Sequence, residues 1–142
     1  MTQIIEIHNY TPEYLEIVQQ FLNQLTSQPM VLTEDAFKKI LTDLNSHLFF
    51  LLKDNEIAGM LTVGIYRSPT GSKAWIEDVV IDNAFRGQGL SKPFLEYAIE
   101  FVKQQGIPLL MLTSNPKRIA ANNLYQSLGF ERKETNVYRM KF

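Results

Sequence analysis

Asp82-Asn83-Ala84-Phe85-Arg86-Gly87-Gln88-Gly89-Leu90-Ser91 joins an apolar strand, Val79-Val80-Ile81, to an amphipathic helical stretch that opens near Leu90. Gly87 and Gly89 allow φ > 0 and let the main chain approach a ligand closely. A strand–turn–helix junction points several N–H groups at one spot, at the positive end of a helix dipole. Phosphate-bearing ligands bind at such spots. The stretch lacks the Lys-Ser/Thr ending of a nucleotide P-loop, which disfavours a nucleoside triphosphate. It also lacks the third glycine and the early βαβ unit of the dinucleotide fingerprint. At this level a helix-initiating turn without any ligand is an equal alternative.

Working outward, the helix predicted from Leu90 to Gln105 carries its apolar face on Leu90, Phe94, Leu95, Ala98, Phe101 and Val102. Pro93 falls in its first turn, where proline is tolerated, and Gly106 ends it. Leu109 to Thr113 then reads as a short buried strand. A helix followed by such a strand predicts a parallel crossover beside residues 74–82. Residues 117–128 read as a second helix closed by Gly129-Phe130. The tail alternates through Val137-Tyr138-Arg139-Met140-Lys141-Phe142 and reads as edge strands that could pair across a homodimer.

Upstream, residues 3–8 read as a strand. Thr11-Pro12-Glu13 and Thr33-Glu34-Asp35 are helix-start signals. Leu15, Val18, Leu22 and Leu25 form the first helical stripe; Phe37, Ile40, Leu41 and Leu44 form the second. Three strands of a meander follow: His47 to Lys53, Glu56 to Tyr66, and residues 74–82, with turns at Asp54-Asn55 and Ser68-Pro69-Thr70-Gly71. The predicted order is β-α-α-β-β-β-α-β-α-β-β, a mixed α/β (α+β) fold with a central mixed sheet flanked by helices.

The 142 residues fit one domain, 1–142, and a hydrophobic content of 45% is enough for a core. A net charge of −1 gives no basic face for nucleic acid. The absence of cysteine excludes disulfides, thiolate metal sites and a cysteine nucleophile. His8 and His47 show no metal-ligand spacing, so no metal is expected. No apolar run reaches membrane-spanning length and no leader pattern opens the chain, so a cytoplasmic location is expected.

Two motifs in this order resemble the GNAT superfamily of acyl-CoA-dependent N-acetyltransferases. Its pyrophosphate loop reads Arg/Gln-x-x-Gly-x-Gly/Ala; Arg86 and Gly89 match, and Ser91 departs from the final small residue while staying small. Its Leu-Tyr-x-x-x-Gly-Phe signature is present as Leu124-Tyr125-Gln126-Ser127-Leu128-Gly129-Phe130. The predicted element order is also similar. The resemblance implies acetyl-CoA as co-substrate, lying where strands 74–82 and 109–113 part. It assigns Val79, Val80 and Ile81 to the pantetheine amides. It assigns Arg86, Gly87, Gln88, Gly89, Leu90 and Ser91 to the pyrophosphate, with Asn122 beside the pantetheine or pyrophosphate arm.

The resemblance further implies that Tyr125 protonates the departing thiolate, which is general-acid work. Packing beside Leu124 and Leu128 is its plain alternative. Glu77 and Asp78 are adjacent carboxylates in an apolar strand, and strict alternation sends them to opposite faces. Glu77 is the expected base for the amine, through water, against a structural or ammonium-binding role. The expected reaction is direct attack of a primary amine on acetyl-CoA in a ternary complex. The acceptor is a small-molecule or peptide amine, bound near Thr26 to Thr33, the Arg67 to Lys73 turn and the tail. Arg67 and Lys73 could hold a phosphate or carboxylate on it. A non-catalytic acyl-CoA-binding or regulatory module, and a protein-interaction domain, are the competing functions.

Overall fold

A computed structural model describes residues 1–142, which form two compact units, Met1–Leu112 and Thr113–Phe142. The first unit runs β1 (Thr2–Glu6), α1 (Pro12–Leu25), α2 (Glu34–Thr42), β2 (Ser46–Lys53), β3 (Glu56–Ser68), β4 (Gly71–Ile81), α3 (Ser91–Gln104) and β5 (Leu110–Met111). The strands form one sheet in the order β1-β2-β3-β4-β5, antiparallel except for the parallel pair β4–β5. The second unit holds α4 (Ile119–Ser127). The mixed architecture agrees with the sequence reading.

Local chemistry explains the starts and stops. Thr11 Oγ1 accepts from the Tyr14 N–H at 3.0 Å and Thr33 Oγ1 from the Ala36 N–H at 3.1 Å. Each such cap contributes about 1 kcal/mol. Asp54 and Asn55 both take positive φ, 49° and 69°, and close the β2–β3 hairpin tightly. Leu44 leaves the expected stripe: α2 stops at Thr42 and Leu44 is 90% exposed. The cause is Asp43, whose carboxylate accepts from the Asn45 N–H and the Ser46 hydroxyl and turns the chain out of the helix.

The sheet has two differently packed faces. Leu48, Phe50, Met60 and Val80 lie on one face, buried with Val18, Phe21 and Leu22 of α1 and Phe37 of α2. On the other face Phe49 packs edge-to-face on Tyr97 and Phe101 of α3, at 5.4 and 5.0 Å between centroids. Leu90, Phe94, Leu95, Ala98 and Val102 supply the rest of the buried face of the α3 stretch.

α3 begins at Ser91, with Leu90 as its cap, where the sequence places it; a 3₁₀ turn, Asn83–Phe85, and the glycine loop precede it. Two further expectations are corrected. The strand expected over 109–113 shortens to Leu110–Met111, with Leu109 44% exposed. The last two strands of the expected order are absent, since Phe130 to Phe142 form no strand. Alternation supplies strand propensity, but a strand exists only where N–H and C=O groups find partners, and the backbone beyond Phe130 makes no such bond.

Candidate active site

The edge of β4 that faces β5 is paired only at its beginning. Ala74 pairs with Leu110 and Trp75 with Met111, and no pairing follows from Ile76 to Ile81. β5 itself ends at Met111. β4 is irregular beyond that point: Met60 faces Val80 and Thr62 faces Glu77, so Asp78 and Val79 together oppose Leu61. This is a β-bulge, and Asp78 takes φ 54°, a conformation aspartate tolerates better than most residues. The bulge also corrects the strict alternation expected of Glu77 and Asp78: both side chains are exposed.

Val79, Val80 and Ile81 carry the unpaired edge to the glycine loop. Gly87 and Gly89 take φ 80° and 68°, as a turn of this kind requires. The N–H groups of Gly87, Gln88, Gly89 and Leu90 make no hydrogen bond within the protein. They precede a 14-residue helix, so fixed donors and a helix dipole coincide there. Leu90 is buried and anchors the loop, while Arg86 to Gly89 are exposed. Arg86 Nε donates to the Ile81 carbonyl at 3.1 Å, folding the side chain back on the strand end.

Two residues that the sequence reading passed over hold this backbone in place. A Cβ built on Gly59 of β3 would lie 2.5 Å from the Val80 carbonyl oxygen, so only glycine lets β3 close on β4 there. Gln24, at the end of α1, donates from Nε2 to Asp82 Oδ1 at 2.9 Å and accepts the Asn83 N–H on Oε1 at 3.0 Å. One side-chain amide thus clamps the root of the loop. Five residues earlier Gln19 does the same for the α1–α2 connection, donating to the Met30 carbonyl at 2.7 Å and accepting the Leu32 N–H at 2.8 Å.

Burial raises the pKa of Glu77, and the neighbouring Asp78 charge raises it further; burial raises that of Asp78. Neither carboxylate makes a hydrogen bond or an ion pair. Partly desolvated, unpaired carboxylates of this kind hold a proton more readily than free ones and are candidates for acid–base work. Lys73 donates to Thr70 Oγ1 at 2.8 Å, and its ammonium stands 5.7 Å over the Tyr66 ring. No group of three or more His, Asp or Glu side chains is placed to hold a metal ion.

In the second unit Tyr125 is buried on α4 and packs edge-to-face on Phe130 at 6.1 Å. The Phe130 N–H donates to the Tyr125 carbonyl at 3.0 Å, and Gly129 at φ 101° makes the turn between them. The Leu-Tyr-x-x-x-Gly-Phe spacing is therefore a helix terminus folded back on its own tyrosine. Asn122 Nδ2 donates to the Asn115 and Arg118 carbonyls at 2.9 and 2.8 Å, so both its hydrogens secure the entry to α4. Asn115 Oδ1 accepts the Lys117 N–H rather than capping α4 itself.

An unpaired strand edge that runs into a loop of free N–H groups is the arrangement that the resemblance to acyl-CoA-dependent acetyltransferases implies. The model of the acetyltransferase (GNAT) family matches residues 11–130, and the chain belongs to that family. The chain is 27% identical over 136 residues to the aminoalkylphosphonate N-acetyltransferase of Salmonella typhimurium, covering 90% of this chain and 86% of that protein. It is 26% identical over 100 residues to N-acetyltransferase 8B of Homo sapiens, covering 69% of this chain but only 44% of that protein. A solved structure from Bacillus halodurans, described as a transcriptional regulator, is 30% identical with a TM-score of 0.81 over all of both chains.

Proposed function

We propose that residues 1–142 act as one GNAT domain that moves the acetyl group of acetyl-CoA to a primary amine by direct attack in a ternary complex. The observation that carries this reading is the edge of β4 facing β5, without a strand partner from Ile76 to Ile81, followed beyond the 3₁₀ turn by the free N–H groups of Gly87 to Leu90. Such a run suits the amides of a pantetheine arm and then a pyrophosphate. Donors fixed before binding need no reorganisation when the ligand arrives. Arg86, Gln88 and Ser91 complete the loop, and Asn122 retains its Oδ1 for the donor's arm.

In this reading Glu77 takes a proton from the incoming ammonium through water. The amine nitrogen then bonds to the thioester carbonyl carbon and the carbon–sulfur bond breaks. Tyr125 supplies a proton to the departing thiolate, a role resting on its place in the family signature, and the second proton shed by the amide nitrogen restores the phenol. The base and acid steps are each worth about 10²- to 10⁴-fold when a group is well placed. The Salmonella relative is named for an aminoalkylphosphonate, which supports a small-molecule acceptor.

The resemblance to a protein described as a transcriptional regulator favours one second reading, an acyl-CoA-binding regulatory module without turnover. The adjacent unpaired Glu77 and Asp78 speak against it, since a pure binder has no use for a base. The readings separate on Tyr125→Phe and Glu77→Gln, assayed for thiol release with acetyl-CoA saturating. Loss of about 10²-fold or more in kcat, with acetyl-CoA binding retained, supports the transferase. Unchanged turnover in either variant removes that residue from the mechanism. Tight acetyl-CoA binding without thiol release from any amine supports the regulatory module.

A further inference from the structure

The buried core under α1 and α2 has Phe50–Met60–Val80 as its last complete row, with Leu48, opposite Thr62, as its last member on β2, although β3 and β4 continue. Three cross-strand rows of β3 and β4 follow on the same face: Thr62 opposite Glu77, Gly64 opposite Trp75, and Tyr66 opposite Lys73. The opposite face of this stretch is dry, with Val63, Ile76 and Ala74 at most 4% exposed. The α1/α2 face is not. Tyr66 is 46% exposed, and a Cβ built on Gly64 would meet nothing within 4 Å. The strip is thus a trough with Gly64 as its floor and the half-buried Trp75 as its wall.

The two ends of this trough carry opposite, unpaired charge. Glu77 and its neighbour Asp78 stand at one end with no cation beside them; Lys73 stands at the other with two hydroxyls but no carboxylate. Four residues of strand separate Glu77 from Lys73, about 13 Å at about 3.3 Å per residue. A partly desolvated carboxylate pair recruits an ammonium, an indole face takes an apolar or planar body, and a free lysine takes an oxyanion.

We propose that this trough is the acceptor subsite, and that it selects an elongated bipolar amine. The reacting amine lies at Glu77, an apolar middle lies on Trp75, and a carboxylate or phosphate-type group reaches Lys73. The inference deepens the transferase reading and rests on it for the identity of the reacting end. A polycation meets Lys73 as a like charge, and a short bipolar amine does not span the trough.

Trp75 is the sole tryptophan, so its fluorescence reports occupancy without turnover. The test is titration of the intact chain with 8-aminooctanoate, 1,8-diaminooctane, octylamine and 4-aminobutanoate. The expected order places 8-aminooctanoate about three- to fivefold tighter than octylamine, the gain of one exposed ion pair, with 1,8-diaminooctane and 4-aminobutanoate weaker. Lys73→Glu, on an exposed hairpin that need not disturb the core, should reverse the preference toward 1,8-diaminooctane. Gly64→Leu should abolish the Trp75 response to every probe while the thermal shift with acetyl-CoA persists. Equal affinities for all four probes, an unaltered order in Lys73→Glu, or a normal Trp75 response in Gly64→Leu would overturn the trough. If acetyl-CoA produces no thermal shift while the probes behave as expected, the transferase reading fails and the trough stands.

Discussion

Gly59 and Gly64 lie on the same strand and do opposite work. At Gly59 the missing side chain lets β3 press against the Val80 carbonyl, closing the strand pair at the end of β4. At Gly64 the missing side chain leaves empty space, beyond the last core residues of β3 on that face. One glycine makes a contact possible and the other keeps a surface clear. The difference teaches that a strand glycine is understood only through what a Cβ would touch.

Substitution at these two glycines should give the largest difference in effect. Gly59→Ala should cost about 1–3 kcal/mol in urea denaturation, because the new methyl meets backbone rather than a flexible side chain. Its acetyl-CoA affinity should fall with the displaced Val80–Ile81 backbone. Gly64→Ala should change stability by no more than about 0.5 kcal/mol and leave acetyl-CoA binding intact. Equal costs at the two sites would end the distinction.

A smaller effect is expected at the root of the donor loop. Gln24→Met removes both hydrogen bonds to Asp82 and Asn83, each worth about 0.5–1.5 kcal/mol. The KM for acetyl-CoA should rise about tenfold while kcat holds. Gln24→Glu sets two carboxylates together and should be worse, and adding Asp82→Asn should restore the clamp with the donor reversed. An unchanged KM in Gln24→Met would show that the loop keeps its shape without α1.

The smallest effect concerns the acceptor end. In the proposed reaction Glu77 acts deprotonated, and its pKa is raised above the ordinary 4.5 first by burial and then by Asp78. Activity should therefore rise with pH through that raised value. Asp78→Asn removes the second cause, lowers the Glu77 pKa and moves the acid limb of kcat/KM to lower pH. Burial remains, so the limb should not reach that of a free carboxylate. A limb that stays in place or moves upward assigns it to another group.

Much of this arrangement could be read from local sequence. The glycine loop, the two threonine caps and the helix closed by Gly129-Phe130 each depend on residues a few positions apart, and the parallel crossover on a helix followed at once by an apolar strand. What could not be read depends on distant partners. Gln24 meets Asp82 across 58 positions, and nothing near either residue announces it. The bulge at Asp78 sits inside Trp75-Ile76-Glu77-Asp78-Val79-Val80, where residue types alone favour unbroken alternation. The tail failed for the complementary reason: its alternation is clear, but no strand edge in the structure pairs with it. Leu44 was lost to a local competitor, the Asp43 carboxylate, which bonds the backbone two residues on.

The central claim is tested most directly by measuring thiol released from acetyl-CoA by the wild-type chain in the presence of a panel of primary amines, with the acetylated product identified by mass. The account predicts amine-dependent thiol release matched one-to-one by N-acetylated amine. Saturable acetyl-CoA binding with no release above the amine-free rate for any amine, elongated bipolar amines included, would contradict it.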